Sequence, residues 1–431
     1  MKRLAPVCGL RFETPKGMDD LLPEEFAVKQ RIVDVIREVY RLYGYEEVET
    51  PTLEYLELFE AKSGEEIRHR MFVFDDPHGR KLVLRPEVTA SIARLVALKL
   101  SRKALPLRLG YIADCYRYDE PQWGRRRRFW QGGLELLGSR DPTSDVEILV
   151  ASRDVFNKLG IGEYIFKIGH VGILRGLMEK VDQKIQDSIL SYIDRKMQKE
   201  AFALAEQHVE PEAVKAMQRL TEMKGSREIM SKASDLLTPW EKARQSSENL
   251  SSILDILFEI DRDMHLEVDL GFARGLEYYT GMIFEQKIAD EPLSFNGGGR
   301  YDGLVELFGG QPTPAVGCSI GITRIQMFLM KKKTVEYLAS PSVVLAVVGE
   351  KAAGYGLRVA DAFRSRGAAV AVDVVRKRLS DVIETAVNKG AKYLIIVGEN
   401  EMKDNKVTVR DLVAKTQFTG SLEEVFGFLQ M

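Results

Sequence analysis

Apolar and polar positions along the chain fall into three textures. From Pro23 to Tyr43 the apolar residues recur at helical spacing. Ile32, Val35, Ile36, Val39, Leu42 and Tyr43 form one stripe, Pro23 suits a first turn, Asp19 and Asp20 are candidate caps, and Gly44 is the stop. Short strand-like runs follow at Tyr45 to Thr50, Met71 to Phe74 and Lys81 to Leu84, the last two joined by an Asp76-Pro77-His78-Gly79 turn. Pro86–Leu100 reads as a helix, and two more strands flank the polar Pro121–Arg128 tip like a long hairpin. Regular β-α-β alternation is missing here, so the pattern predicts an antiparallel sheet with helices packed on it, an α+β core.

A second texture begins near Leu177. Of 35 glycines only Gly225 falls between Leu177 and Ile260, a segment dense in Glu, Lys, Gln, Ala, Leu and Met and broken by Pro211 and Pro239. That predicts a helical insertion, whose scattered methionines (Met178, Met197, Met217, Met223, Met230) read as core packing. Strand-like runs and glycine return from Gly271 to Gly321. Beyond the polar bridge KKKTVEYLASP the pattern turns to β-α-β-α-β, from SVVLAVVGE at 342–350 through AAVAVDVV to AKYLIIVGE, closing with KVTVRDL and a short helix. The expected domains are therefore 1–172 with 261–335, a helical insertion at 173–260, and a C-terminal α/β domain at 336–431.

At 431 residues, two to four domains are expected. Lys and Arg number 62 against 64 Asp and Glu, a net charge of −2, which excludes a polybasic histone-like binder. That total is an average over unlike parts. Phe12 to Glu66 carries 15 acidic and 6 basic residues, whereas Lys99 to Arg128 carries 9 basic and 3 acidic. A nucleic-acid partner is therefore compatible with neutrality. Cys8, Cys115 and Cys318 stand far apart, and the five histidines show no HxxxH pairing, so neither a disulfide framework nor a protein-only metal site is expected. No long apolar run precedes a cleavage site and none reaches the roughly 18 residues of a membrane span, so the chain reads as cytoplasmic.

Nucleotide motifs are absent in their familiar forms. GEKAAGYG (349–356) has Tyr355 where a P-loop needs lysine, and FNGGGRYDG lacks GxGxxG spacing. The informative stretch is YRYDEPQWGRRRRFWQGGLE (116–135). Arg117 offers a planar fork for phosphate oxygens, and Arg125 to Arg128 lie among Trp123, Phe129 and Trp130, a composition suited to nucleic-acid phosphates and stacked bases. Positions 131, 133 and 135 share one strand face, so Gln131 and Glu135 can line a pocket with Arg117.

This stretch resembles motif 2 of class II aminoacyl-tRNA synthetases, in the form seen in the histidyl-tRNA synthetase family. LRPEVTASIAR (82–94), LGFARGLEYYTGMIFE (270–285) and FNGGGRYDGLVELFGG with AVGCSIGITRI (295–325) resemble further segments of that family, in the same order, so the likeness covers nearly the whole chain. It implies a class II antiparallel sheet that binds ATP, with Mg²⁺ accompanying it, and L-histidine, a C-terminal anticodon-binding domain, tRNA(His) as partner and a homodimer built on Pro23–Pro51. Arg117 and Arg274 become catalytic, gripping the α-phosphate from opposite sides. Asp119, Arg125, Phe129 and Arg324 become further ATP residues. Glu87, Val88, Thr89, Gln131, Glu135, Tyr278, Tyr279 and Tyr301 become the histidine pocket, shared with Arg117 and Arg274. Arg126, Arg127 and Arg128 are expected to face tRNA.

Alternation along a strand favours Tyr279 over Tyr278 as the one facing inward. The chain departs from the family at Tyr118, Asp119 and Glu120, where bacterial relatives commonly have His-Glu-Arg, and at Glu277, where aspartate is commoner. His265 reads as structural and Lys331 to Lys333 as a solvated linker. Two alternatives are a synthetase-like regulatory subunit of ATP phosphoribosyltransferase and a class II synthetase for another amino acid. The retained ARGLEYY and GGGRYDGL segments and the C-terminal domain weigh against both.

Overall fold

The computed structural model describes residues 12–61, 69–273, 278–332, 342–375 and 377–430. The chain divides into two units, Met1–Val335 and Glu336–Met431.

The first helix runs Pro23–Tyr43 and stops at Gly44, whose φ of 71° is the left-handed conformation that a residue without a Cβ adopts readily. Its N-terminus is not capped by Asp19, which pairs instead with Arg126 at 2.5 Å. The Glu25 carboxylate reaches back and accepts the Leu22 N–H at 2.7 Å. Leu42 leaves the expected stripe and is 54% exposed, while Val28, Val33 and Tyr40 complete the buried face.

Strands of the first unit, in chain order, are β1 (Glu46–Glu47), β2 (Leu53–Tyr55), β3 (Phe72–Asp75), β4 (Lys81–Leu84), β5 (Leu107–Tyr116), β6 (Arg128–Leu137), β7 (Tyr164–His170), β8 (Lys224–Gly225), β9 (Leu266–Asp269), β10 (Met282–Ile288), β11 (Ser294–Arg300) and β12 (Ala315–Ile320). Nine of them form one sheet in the order β1-β5-β6-β12-β11-β10-β7-β9-β8, and β2-β4-β3 form a small antiparallel sheet. The large sheet is antiparallel, as expected, except at two places, where β1 pairs with β5 and β7 with β9 in parallel. Parallel neighbours need a long crossover. The first crossover contains the small sheet and the helix Thr89–Leu95. The second contains the helices between Val171 and Ile260. That first-crossover helix starts at Thr89 rather than Pro86 and widens into a π-helical turn at Val96–Leu100.

Helices Pro23–Tyr43, Pro142–Lys158 and Ile322–Lys332 cover one face of the sheet, where Leu134, Leu136, Val316, Cys318 and Ile320 are buried. Close approach of the first helix depends on two glycines. A Cβ at Gly110 would lie 2.6 Å from the Tyr40 ring, and one at Gly132 would lie 3.0 Å from Ile36. Tyr40 thereby reaches across the strands, its hydroxyl 2.7 Å from the Tyr111 carbonyl and 2.8 Å from that of Gly133. The intervening residues on β6 point to the opposite face, where the cavity lies.

In the second unit β13 (Val343–Val347), β14 (Val370–Val372) and β15 (Tyr393–Val397) are parallel, with helices Ala353–Arg364 and Leu379–Asn388 between them. Strands β16 (Val407–Asp411) and β17 (Gln417–Gly420) add antiparallel, giving the order β14-β13-β15-β16-β17.

Candidate active site

A cavity of about 320 Å³ lies on the open face of the large sheet, within the range of small-molecule pockets. Its two ends differ in chemistry. At the hairpin end, Arg117 follows β5, donates from Nε to the Pro86 carbonyl at 2.9 Å, and lies 5.3 Å from the centre of the Phe129 ring. Arg324 enters from the helix Ile322–Lys332 and is braced on the carbonyls of Gly124 at 2.9 Å and Ser294 at 2.5 Å. Arg70, Arg125 and Arg126 also line this end.

Asp119 sits among these cations, and Arg70 donates to it twice, at 2.7 and 2.9 Å. Burial pushes the Asp119 pKa up, but the bond from Arg70 and the charges of Arg70, Arg117 and Arg125 outweigh it and hold the carboxyl below its ordinary value. Arg70 is a site residue that the sequence reading missed, since nothing local marks a partner 49 positions away. The four consecutive arginines do not act alike. Arg125 and Arg126 reach the cavity, whereas Arg127 lies 3.9 Å over the Tyr118 ring and Arg128 bonds Asp114 at 3.1 Å.

The other end is built from hydroxyls around a buried carboxylate. Glu135 is 1% exposed. Thr89 Oγ1 donates to its Oε1 at 3.0 Å, and the Tyr301 hydroxyl donates to its Oε2. Thr89 and Tyr301 line the cavity, with the Glu135 carboxylate held behind them. Glu87 accepts the N–H groups of Thr89 at 2.7 Å and Ala90 at 3.1 Å, capping the helix Thr89–Leu95. Gln131 accepts the Cys115 thiol at 3.2 Å; burial pushes that thiol up to about 12, so it stays a donor. The Gln131 NH₂ is then the group left to meet a ligand.

Tyr278 and Tyr279 both line the cavity, with rings 4.5 Å apart and hydroxyls 3.4 Å apart. The expected choice between them fails because they precede β10 in a turn, where strand alternation does not apply. Burial, the Glu87 charge and the Glu135 charge raise the pKa of Tyr278. Val88 is in the core, 1% exposed, and is not among the cavity residues. Tyr111, unremarked in the sequence, forms part of the floor, its ring crossing Gly133 where a Cβ would come within 2.1 Å. Arg274 and Glu277 lie outside the described residues.

One face thus carries an arginine-rich end and a hydroxyl–carboxylate end, joined through Arg117 and Gln131. Comparison with known proteins bears directly on it. The family profile described as "Histidyl-tRNA synthetase" matches residues 17–325. This chain belongs to the histidyl-tRNA synthetase family. A second profile, "Anticodon binding domain", matches residues 342–431. Among relatives, the chain is 36% identical to the histidine–tRNA ligase of Methanocaldococcus jannaschii over 97% of this chain and 99% of that protein. To the histidine–tRNA ligase of Pyrococcus furiosus it is 35% identical, over 97% and 98%. Among solved structures, the histidyl-tRNA synthetase of Nostoc sp. PCC 7120 superposes with a TM-score of 0.79, at 24% identity over 96% of this chain and 99% of that one, and shows the same fold. A Bacillus halodurans protein titled ATP phosphoribosyltransferase regulatory subunit/histidyl-tRNA synthetase has a TM-score of 0.77 and 26% identity, over 90% of this chain and 99% of its own. The α+β class II fold expected of a histidyl-tRNA synthetase is the fold observed.

Proposed function

We propose that this chain is a histidine–tRNA ligase. The carboxylate of L-histidine attacks the α-phosphorus of ATP, pyrophosphate leaves, and the histidyl group then passes to a ribose hydroxyl at the 3′ end of tRNA(His) with release of AMP. The observation that supports this reading is the two-ended cavity, with Arg117, Arg125 and Arg324 at one end and the hydroxyls of Thr89, Tyr278, Tyr279 and Tyr301 at the other. No protein nucleophile is required, so rate comes from alignment and from neutralising charge at phosphorus.

In this reading Arg117 meets both substrates, binding the α-phosphate and the histidine carboxylate, and Arg274 is assigned as the second arginine for the α-phosphate. Arg324 and Arg125 hold the outer phosphates of MgATP. Phe129 stacks on adenine, and Asp119 meets the base from within its clasp with Arg70. Glu87, Thr89 and Gln131 hold the amino-acid backbone. The imidazole lies among Tyr278, Tyr279 and Tyr301, with the charge of Glu135 behind them; a site built to bond both ring nitrogens rejects amino acids that leave it unpaired. Of the tip arginines Arg126 is assigned to tRNA, whose phosphate would replace Asp19 as its partner, and residues 342–431 bind the anticodon through splayed bases.

A cytoplasmic homodimer completes the proposal. Exposed apolar residues at the start of the first helix (Leu22 at its cap, and Phe26) and along one side of the small sheet (Leu53, Tyr55, Phe74) are the surfaces proposed for a twofold contact. ATP–pyrophosphate exchange, run with each amino acid in turn, tests the activity. Histidine alone is expected to drive exchange. Exchange with threonine or proline but not histidine would falsify the assignment, and no exchange with any amino acid would favour the regulatory-subunit reading.

A further inference from the structure

Behind the histidine end of the cavity lies an arginine that the reaction above leaves unused. Arg300 ends β11, is 6% exposed, and directs all its N–H donors into the protein. Nε donates to Asp145 Oδ1 at 3.1 Å, and Nη2 donates to Asp145 Oδ2 at 2.5 Å and Ser144 Oγ at 2.8 Å. Nη1 donates to the Ser139 carbonyl at 2.8 Å and to Asp302 Oδ1 at 3.2 Å. The side-chain stem fills the space that Gly281 leaves, where a Cβ would sit 2.8 Å from Arg300 Cδ. The Arg300 carbonyl accepts the Thr280 N–H at 2.8 Å, and Thr280 Oγ1 accepts the Asp302 N–H at 3.1 Å. Asp302 Oδ1 also accepts the Ala315 N–H at 3.1 Å.

Three pieces of the pocket meet at this residue, and a fourth is joined to it through Asp302. Ser139 follows β6, the strand of Glu135. Thr280 follows the Tyr278–Tyr279 pair. Tyr301 is the next residue in the chain and bonds Glu135. Ala315 opens β12, whose Gly317 faces the Glu135 carboxylate. A buried ion pair adds little net stability over well-packed apolar residues, but its planar fork fixes directions that a lysine ammonium does not. We infer that Arg300, through Asp145 and Asp302, is a positioning residue that sets the spacing of the tyrosine hydroxyls and Glu135 around the imidazole, and so sets histidine affinity. It touches neither substrate. Its influence stops short of the ATP end, because Phe129 and Glu135 stand six residues apart on β6, about 20 Å at strand rise.

The inference rests on the histidine-activation reading, and the experiment separates the two. Pyrophosphate exchange is measured on the full chain, varying histidine and ATP separately, for the wild type, Arg300→Lys and the apolar pair Arg300→Met/Asp145→Leu, with Tm recorded for each. The expected result is a KM for histidine raised roughly tenfold in both variants while the KM for ATP stays within about twofold. The apolar pair is expected to keep a Tm close to wild type. An unchanged histidine KM, a parallel rise in both KM values, or a fall in kcat alone overturns the inference. If Arg300→Lys does not fold, the apolar pair decides. If the wild type shows no histidine-dependent exchange, the functional reading fails instead, and calorimetric binding of histidine to wild type and variants still tells whether Arg300 shapes the pocket.

Discussion

Gly317 and Glu135 occupy what for any other residue pair would be a single volume. A Cβ on residue 317 would stand 1.7 Å from Glu135 Oε2, so Gly317→Ala must push the carboxylate off Tyr301. A buried acceptor stripped of its donor is costly, and the variant is expected to bind histidine at least roughly tenfold more weakly while ATP binding holds. Calorimetry with each ligand checks this, and equal losses for both would count against it. His170 carries a pH dependence. Its Nδ1 accepts the Gly172 N–H at 3.2 Å at the start of the helix Val171–Leu177, and burial pushes its pKa down to about 4. An unfolded histidine takes up its proton near pH 6.5. Between these values the unfolded chain holds a proton that the folded chain refuses, so this contribution is complete above about pH 6.5 and is lost progressively towards pH 4, up to about 3 kcal/mol. His170→Asn keeps a cap acceptor without the titration and is expected to flatten the slope of urea stability between those pH values. A slope equal to wild type would refute the assignment. Most residues that meet the cavity were legible only through the four segments that resemble the family, while strand spacing by itself paired Gln131 with Glu135. Arg70 and Tyr111 were not, since each acts across a distance that leaves no periodic trace.

Between Pro121 and Arg128 the hairpin tip was read as one basic loop, and its arginines divide. Arg127 covers the Tyr118 ring and Arg128 is tied to Asp114, so these two brace the hairpin. Arg125 and Arg126 reach the cavity. Arg125→Ala is therefore expected to raise the KM for ATP several-fold, as loss of one charge-assisted phosphate contact does. Arg127→Ala is expected to lower Tm by a few degrees while leaving the salt dependence of tRNA charging unchanged. Paired exchange and charging assays across a salt series distinguish these effects, and a salt slope changed by Arg127→Ala would reverse the division. The helix Pro23–Tyr43 lies where the pattern predicts it, because periodicity and Gly44 both act locally. Its cap was misplaced because Asp19 finds a stronger partner in Arg126, more than a hundred residues on, and Glu25 takes the role from inside the helix. The parallel pairs β1–β5 and β7–β9 were hidden for a related reason. Strand propensity marks which segments extend, and the direction of pairing is decided by what the crossovers contain.

Across the whole chain, the two units are expected to divide the work. Removing residues 342–431 is expected to leave histidine-dependent exchange within about twofold and to weaken tRNA charging by roughly a hundredfold, since the anticodon contacts go with them. Loss of exchange with intact charging affinity would contradict the division. Dilute sizing of the full chain is expected to give a dimer, which Phe26→Asp on the exposed face of the first helix should dissociate; a monomeric wild type would refute the twofold contact. Last comes the order in which the sheet closes. β6 lies between β5 and β12, with Leu137 opposite Ala315, so one edge of the strand that carries Gln131 and Glu135 stays unpaired until β12 has been synthesised. On the ribosome the helices from Val171 to Ile260 emerge while that edge is still open. An exposed strand edge is a template for pairing with other chains. Nascent chains stalled before residue 315 should thus be the species most dependent on chaperones, and the pocket for histidine is among the last things this protein makes.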